Sequence, residues 1–279
     1  MRFNLYLSEN GLKVLVLAID GLEANLVKKW KLKGFMQQYY GVHDVRVAVR
    51  PNDPIYTPLI WAAFLLGKPA YSYGFDHKEI ALKRALAGYN RLLKRFVRLR
   101  MKLLGKRSLH VRTLLMKVGL YDKDKVVEKA PEIENLPRSV LGETLPEVAK
   151  RKGYSVWIEE FPGYNDVTNA RWRSKGTQLH TTSFRKRVNE LNKRFAFSEK
   201  LLERALQAAE HNDLVMYYTA IIDWANHMFY KPGKIKLMTL LAAYYKRMEK
   251  TLSEAIKQIP GSSILILSDH GFDPIGQTP

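Results

Sequence analysis

Residues 13–21 read Lys-Val-Leu-Val-Leu-Ala-Ile-Asp-Gly, six apolar residues in unbroken succession closed by an acidic residue and a glycine. An apolar run this short and continuous predicts a strand buried on both faces. Comparable runs stand at Val45–Val49, Ser155–Glu159, Leu214–Ile222 and Ser263–Leu267. Helical patterns separate them, at Pro58–Leu66, Thr144–Lys152 (closed by Gly153), Leu191–Glu210 and Ile235–Ile259. Strands alternating with helices predict the α/β class, with a mostly parallel central sheet and helices on both faces.

The chain has 279 residues, enough for one large α/β domain or one such domain with an insertion. It contains no cysteine, which excludes disulfide staples, thiolate metal sites and cysteine nucleophiles. Lys and Arg number 46 against 27 Asp and Glu, a net charge of +19. So positive a field attracts anions: phosphorylated metabolites, nucleic acid or acidic headgroups. The run Val14–Ile19 is too short to span a bilayer, and no targeting segment is evident, so a cytoplasmic location is expected.

One region interrupts the alternation. Between Lys78 and Lys125 there are 15 Lys or Arg against 3 Asp or Glu. Within it Leu82, Ala85, Leu86, Tyr89, Leu92, Leu93, Phe96 and Val97 recur at helical spacing, and Arg84, Arg91, Lys94, Arg95 and Arg98 fill the opposite face. Residues 78–137 read as a basic helical insertion or cap on a core formed by 1–77 and 138–279. Residues 78–125 suit contact with an acidic membrane surface or nucleic acid. A solvated basic helix pair packed on the core explains the same pattern. With only Tyr89, Phe96 and Tyr121 as aromatics, the segment makes a poor stacking platform for single strands.

Chemistry concentrates at the carboxyl ends of the predicted strands, where open α/β sheets bind ligands. The first runs into Asp20-Gly21, the fourth into Asp223 with His227 four residues on, and the last into Ser268-Asp269-His270-Gly271. A helix starting at Asp223 puts Asp223 and His227 on one face, a spacing suited to Zn²⁺, Mn²⁺ or a similar ion. A single Asp after a strand is commonly a turn former. Three such ends, two with His, favour a metal site. Thr57-Pro58 opens a helix ending near Gly67. Its hydroxyl lies at the positive end of a helix dipole, although local sequence alone reads Thr57 as an N-cap.

Further segments carry a family likeness. Trp61 lies four residues beyond Thr57 in a helix running to Gly67-Lys68-Pro69, and Gly153-Tyr154 precedes Phe161-Pro162-Gly163-Tyr164. Asp223-Trp224-Ala225-Asn226-His227 fits a D-x-x-x-H motif, and Ser268-Asp269-His270-Gly271 an S-D-H-G motif. Together these resemble the alkaline phosphatase superfamily, and within it the type I phosphodiesterase/nucleotide pyrophosphatase group and its archaeal relatives. The resemblance runs from about Lys13 to Phe272, the basic segment excepted.

The resemblance implies an alkaline phosphatase-like fold and two divalent metal ions, Zn²⁺ first and Mn²⁺ as the other option. Asp20, Thr57, Asp269 and His270 would hold one ion, and Asp223 and His227 the other. Thr57 would attack phosphorus of a phosphorylated small molecule or nucleotide, giving a phosphothreonine that water hydrolyses. The family pattern has a third ligand to the Asp223/His227 ion, a His beyond S-D-H-G, but no His follows His270 here. His77, His110 and His180 remain as substitutes. The pattern's His-Gly after the nucleophile helix is Tyr73-Gly74 here, and His77 is expected near the phosphate. Two other readings stay open: a phosphotransferase of the same superfamily, and a non-catalytic relative that binds anionic ligands or nucleic acid through the basic segment.

Overall fold

A computed structural model describes residues 14–90, 93–97, 120–176 and 182–272. Its sheet has four strands, β1 (Val14–Ile19), β2 (Val156–Ile158), β3 (Leu214–Thr219) and β4 (Ser263–Leu267), in the order β2-β3-β1-β4. Every pairing is parallel. All six residues of β3 and all but the first of β1 are buried. Successive strand residues point to opposite faces, so both faces of the central strands are covered, as an unbroken apolar run requires.

The helices are α1 (Ala24–Lys29), α2 (Thr57–Leu66), α3 (His77–Ala87), α4 (Lys123–Glu134), α5 (Leu145–Arg151), α6 (Thr168–Lys175), α7 (Phe184–Ala209), α8 (Ile221–Phe229) and α9 (Ile235–Lys257). A one-turn helix at Arg138–Leu141 and a helical stretch at 93–97 complete those among the described residues. The 26-residue α7 packs on β2 and β3 and buries Leu191, Phe195, Leu202 and Ala205. None of the helices among the described residues is long and apolar enough to cross a membrane.

Register places the site. Ala18 pairs with Leu267, so two residues on, Asp20 and Asp269 leave neighbouring strands at the same level. Ile19 pairs with Thr219, which brings the start of α8 beside them. β3 ends at Thr219, earlier than the apolar run to Ile222 predicts. The Thr219 hydroxyl accepts a hydrogen bond from the Ile221 N–H (3.4 Å) and turns the chain into α8. Asp223 therefore lies in the first turn of a helix.

Two other expectations are corrected. Val45–Val49 is no strand: Val45–Ala48 forms a 3₁₀ turn capped by Asp44, whose side chain accepts from the Arg46 N–H at 2.9 Å. It pairs with no strand, and Val47 is largely exposed. The helical pattern through Leu82–Val97 also breaks, because α3 stops at Gly88. There Asp122 donates its N–H to the Gly88 carbonyl (2.9 Å), and a Cβ on Gly88 would lie 2.6 Å from the Tyr121 ring. Asn90 caps the stretch that follows, accepting from the Leu93 N–H at 2.9 Å. The expected insertion extends into residues 98–119, which lie outside the described residues.

α2 is apolar all round and buried all round except at Phe64. On one side Trp61 meets Phe161 and Tyr218 edge-on at 5.4 and 6.0 Å. On the other, Leu59, Ile60, Ala62 and Leu66 join a second core with Ile80, Ile133 and Leu136. Gly163 (φ +78°) presses against the helix, and a Cβ there would stand 3.0 Å from both the N and the Cβ of Ala62. Gly163→Ala is expected to cost about 1–3 kcal/mol through backbone strain and crowding, read as a lowered Tm.

Candidate active site

Four sequence-selected side chains meet where β1 and β4 end. The Thr57 hydroxyl donates to Asp20 Oδ1 (3.4 Å), and the Tyr218 hydroxyl donates to Asp20 Oδ2 (2.6 Å). His270 Nε2 lies 3.3 Å from Asp20 Oδ1 and 3.5 Å from Asp269 Oδ2. Asp269 Oδ1 accepts the Gly21 N–H at 3.2 Å. Ligand atoms of Asp20, Asp269 and His270 all lie within 4.8 Å of one another. Thr57 is the first residue of α2, and Tyr56 occupies the N-cap without a side-chain cap bond. The Thr57 hydroxyl is thus not spent on capping.

Asp223 and His227 share one face of α8, with His227 Nε2 3.4 Å from Asp223 Oδ1. Gly21 sets the distance between this pair and β1. It has φ +68°, and a Cβ there would sit 2.8 Å from the Asp223 Cα and Cβ. Asn226 locks the contact by donating from Nδ2 to the Gly21 carbonyl (2.7 Å), while its Oδ1 accepts from Tyr245 (3.1 Å). The loop after β4 is fastened similarly: Ser268 Oγ accepts the Leu22 N–H at 2.9 Å, and Glu23 Oε2 accepts the Phe272 N–H at 2.8 Å.

The electrostatics are those of acids crowded out of water. Burial raises the Asp223 pKa to about 8, with the Asp20 charge adding to it. Burial, then Asp20, pushes Asp269 well above the usual carboxylate range. Burial acts on Asp20 as well, but the hydrogen bond and charge of His270, with the Tyr218 hydroxyl, outweigh it and hold that carboxyl below its ordinary value. For His270 burial opposes the charged form, yet the carboxylates of Asp269, Asp20 and Asp223 prevail and lift it to about 11. Asp223 Oδ1 and Asp269 Oδ2 are buried without a hydrogen bond. Carboxylate oxygens that lack a hydrogen bond of good geometry, each with an imidazole nitrogen 3.4 or 3.5 Å away, fit a divalent cation.

Of the substitutes for a third ligand, His77 opens α3 and packs edge-on to Tyr56 at 6.4 Å, outside the carboxylate cluster. His110 and His180 lie outside the described residues. Glu23 and Arg173 were not singled out by sequence. Glu23 offers only an acid two residues after Asp-Gly, and nothing local distinguishes Arg173 from Arg171.

A family model described as Type I phosphodiesterase / nucleotide pyrophosphatase matches residues 116–278. The chain belongs to this family. The family is part of the alkaline phosphatase superfamily, and its chemistry is phosphate-ester hydrolysis. No curated protein and no solved structure matches the chain. The matched stretch contains Asp223, His227, Asp269 and His270 but neither Asp20 nor Thr57, which the fold brings against it.

Gly21→Ala is expected to destabilise by about 1–3 kcal/mol, because a positive φ and the Asp223 backbone both oppose a Cβ. Chemical denaturation measures it. In the folded metal-free chain burial and neighbouring charge push Asp223 up to about 8 and His270 up to about 11, from the ordinary values of 3.8 and 6.5 that hold in the unfolded chain. Between pH 6.5 and 8 the folded chain therefore holds more protons than the unfolded one, and these contributions to stability are lost as pH rises. Calorimetry in chelator is expected to show Tm falling across that window.

Proposed function

We propose that the chain is a divalent-metal-dependent phosphodiesterase or phosphatase that works through a phosphothreonine at Thr57. The observation that carries this reading is the Thr57–Asp20 hydrogen bond, which sets a hydroxyl not used for capping against the cluster of Asp20, Asp269 and His270. Tyr218 also bonds Asp20 but is a poor nucleophile. It is fully buried, and burial followed by the Asp20 charge pushes its pKa well above the usual phenol value.

Asp20, Asp269 and His270, with Thr57, would hold one ion, and Asp223 and His227 would contribute to a second. Bound divalent ions supply Lewis acidity, favouring ionisation of the nucleophile and neutralising charge on the phosphoryl oxygens. The residues of the chain do the rest. The Thr57 oxygen forms the new bond to phosphorus as the bond to the leaving oxygen breaks, and its proton departs along the hydrogen bond to Asp20 and ends on the leaving alkoxide, which is released as the alcohol. Asn226, Ser268 and Glu23 keep the loops that bear the acids from drifting, so positioning is built in before substrate arrives. Water then cleaves the phosphothreonine and restores the hydroxyl.

Thr57→Ala is expected to lower turnover of bis-p-nitrophenyl phosphate by about a thousandfold or more, while Thr57→Ser keeps measurable activity. Full activity in metal-loaded Thr57→Ala would sink the assignment. Chelation is expected to abolish turnover, and added Zn²⁺ or Mn²⁺ to restore it and raise Tm. Asp223→Asn is expected to weaken that rise.

A further inference from the structure

A cavity of about 390 Å³ opens at Tyr56, the residue before Thr57, and is lined also by His77, Arg84, Val126, Arg173 and Ser174 among others. It shares no lining residue with the carboxylate cluster, yet Tyr56 directly precedes Thr57. Two arginines dominate it. Glu134, wholly buried at the end of α4, accepts from Arg84 Nη2 and from Arg173 Nε (2.8 Å). Asp166 Oδ2 accepts from Arg173 Nη2 at 2.5 Å, while its Oδ1 accepts the Asn169 N–H at 3.0 Å. The Arg84 guanidinium lies over the Tyr56 ring, 5.2 Å from its centre.

These contacts hold both guanidiniums in place without exhausting them. Arg173 Nη1 and Arg84 Nε are buried and have no hydrogen-bond partner. Native interiors rarely leave a charged donor in that condition without a ligand or ordered water. The Arg173 charge also reaches Asp20 and Asp223, which places the cavity within electrostatic range of the reacting centre. Paired planar forks fixed by carboxylates are the arrangement that recognises an oxyanion at two points.

We propose that this cavity is an anion subsite that takes a second phosphate or carboxylate group of the substrate, beyond the phosphorus that Thr57 attacks. Arg84 and Arg173 are its specificity-determining residues, and Glu134 and Asp166 are their positioning residues. Substrates carrying such a group are selected over neutral-tailed esters. The inference rests on the phosphate-ester reading for its purpose, but not for its measurement.

The test is calorimetric titration of inorganic phosphate into the full chain, in chelator and about 150 mM NaCl, near physiological ionic strength. Saturable binding at one site is expected, weakened about tenfold or more in Arg84→Gln and unchanged in Arg46→Gln, an exposed arginine distant in sequence from the cavity. Melting curves check that each variant folds. Should Arg84→Gln fail to fold, Arg84→Lys keeps the charge and loses the fork, and weaker binding is again expected. Absence of saturable binding in the parent, or equal binding in the folded variant, overturns the subsite and leaves the Thr57 assignment standing. Arg84-dependent phosphate binding in a chain without hydrolytic activity supports the subsite and overturns the hydrolase reading instead.

Discussion

Like charges converging in a buried place are the constraint around which this molecule is arranged. Asp20 and Asp269 are buried and Asp223 is largely so beside them, and each ionised carboxylate raises the cost of ionising the next. A charged His270 offsets the repulsion, and the upward shifts of Asp223 and Asp269 follow from the same crowding. The surrounding hydrogen bonds are mostly from backbone N–H groups, hydroxyls and an amide, so they position the acids without neutralising them. A fold that maintains such a cluster within a chain of net charge +19 has separated its two electrostatic tasks. A basic exterior attracts anions, and an acidic interior suits cations.

Parallel register is what converts this constraint into geometry. β1 lies between β3 and β4, so its Asp-Gly terminus touches the loops of both neighbours. Gly21 then lets α8 approach closely enough for Asp223 to join a group that begins on another strand. α2 brings its hydroxyl from far upstream, seated by Trp61 against Phe161 and Tyr218. The catalytic precision of such a site depends on packed aromatic and backbone contacts some distance from any reacting atom.

Much of this was legible in the sequence because strands that are buried on both faces leave an unmistakable apolar run, and β1 and β3 do; β4 carries a similar run but lies at the sheet edge with Leu265 exposed, so the burial expected of it is corrected. The acids after those runs could be placed on the ligand-binding edge by topology alone. Val45–Val49 misled because valine enrichment marks strands only when a neighbour supplies the ladder, and Asp44 offered the backbone a local turn instead. The end of β3 was misplaced because Ile221 and Ile222 are buried in a helix as readily as in a strand. Arg173 was invisible for a different reason. A buried arginine looks like any other in a basic helix until its partners Glu134 and Asp166, distant in sequence, are known.

Gly88 and Asp122 face one another across a single backbone hydrogen bond, with Tyr89 and Tyr121 forming an antiparallel bridge beside it and their rings 4.9 Å apart. Two points well separated along the chain are therefore held side by side. A detour closed at its neck can lengthen or shorten over evolutionary time at small entropic cost, without disturbing what lies below the closure. Pinning Tyr89 to Tyr121 leaves the geometry of the acids only weakly coupled to the length of chain that joins the two tyrosines.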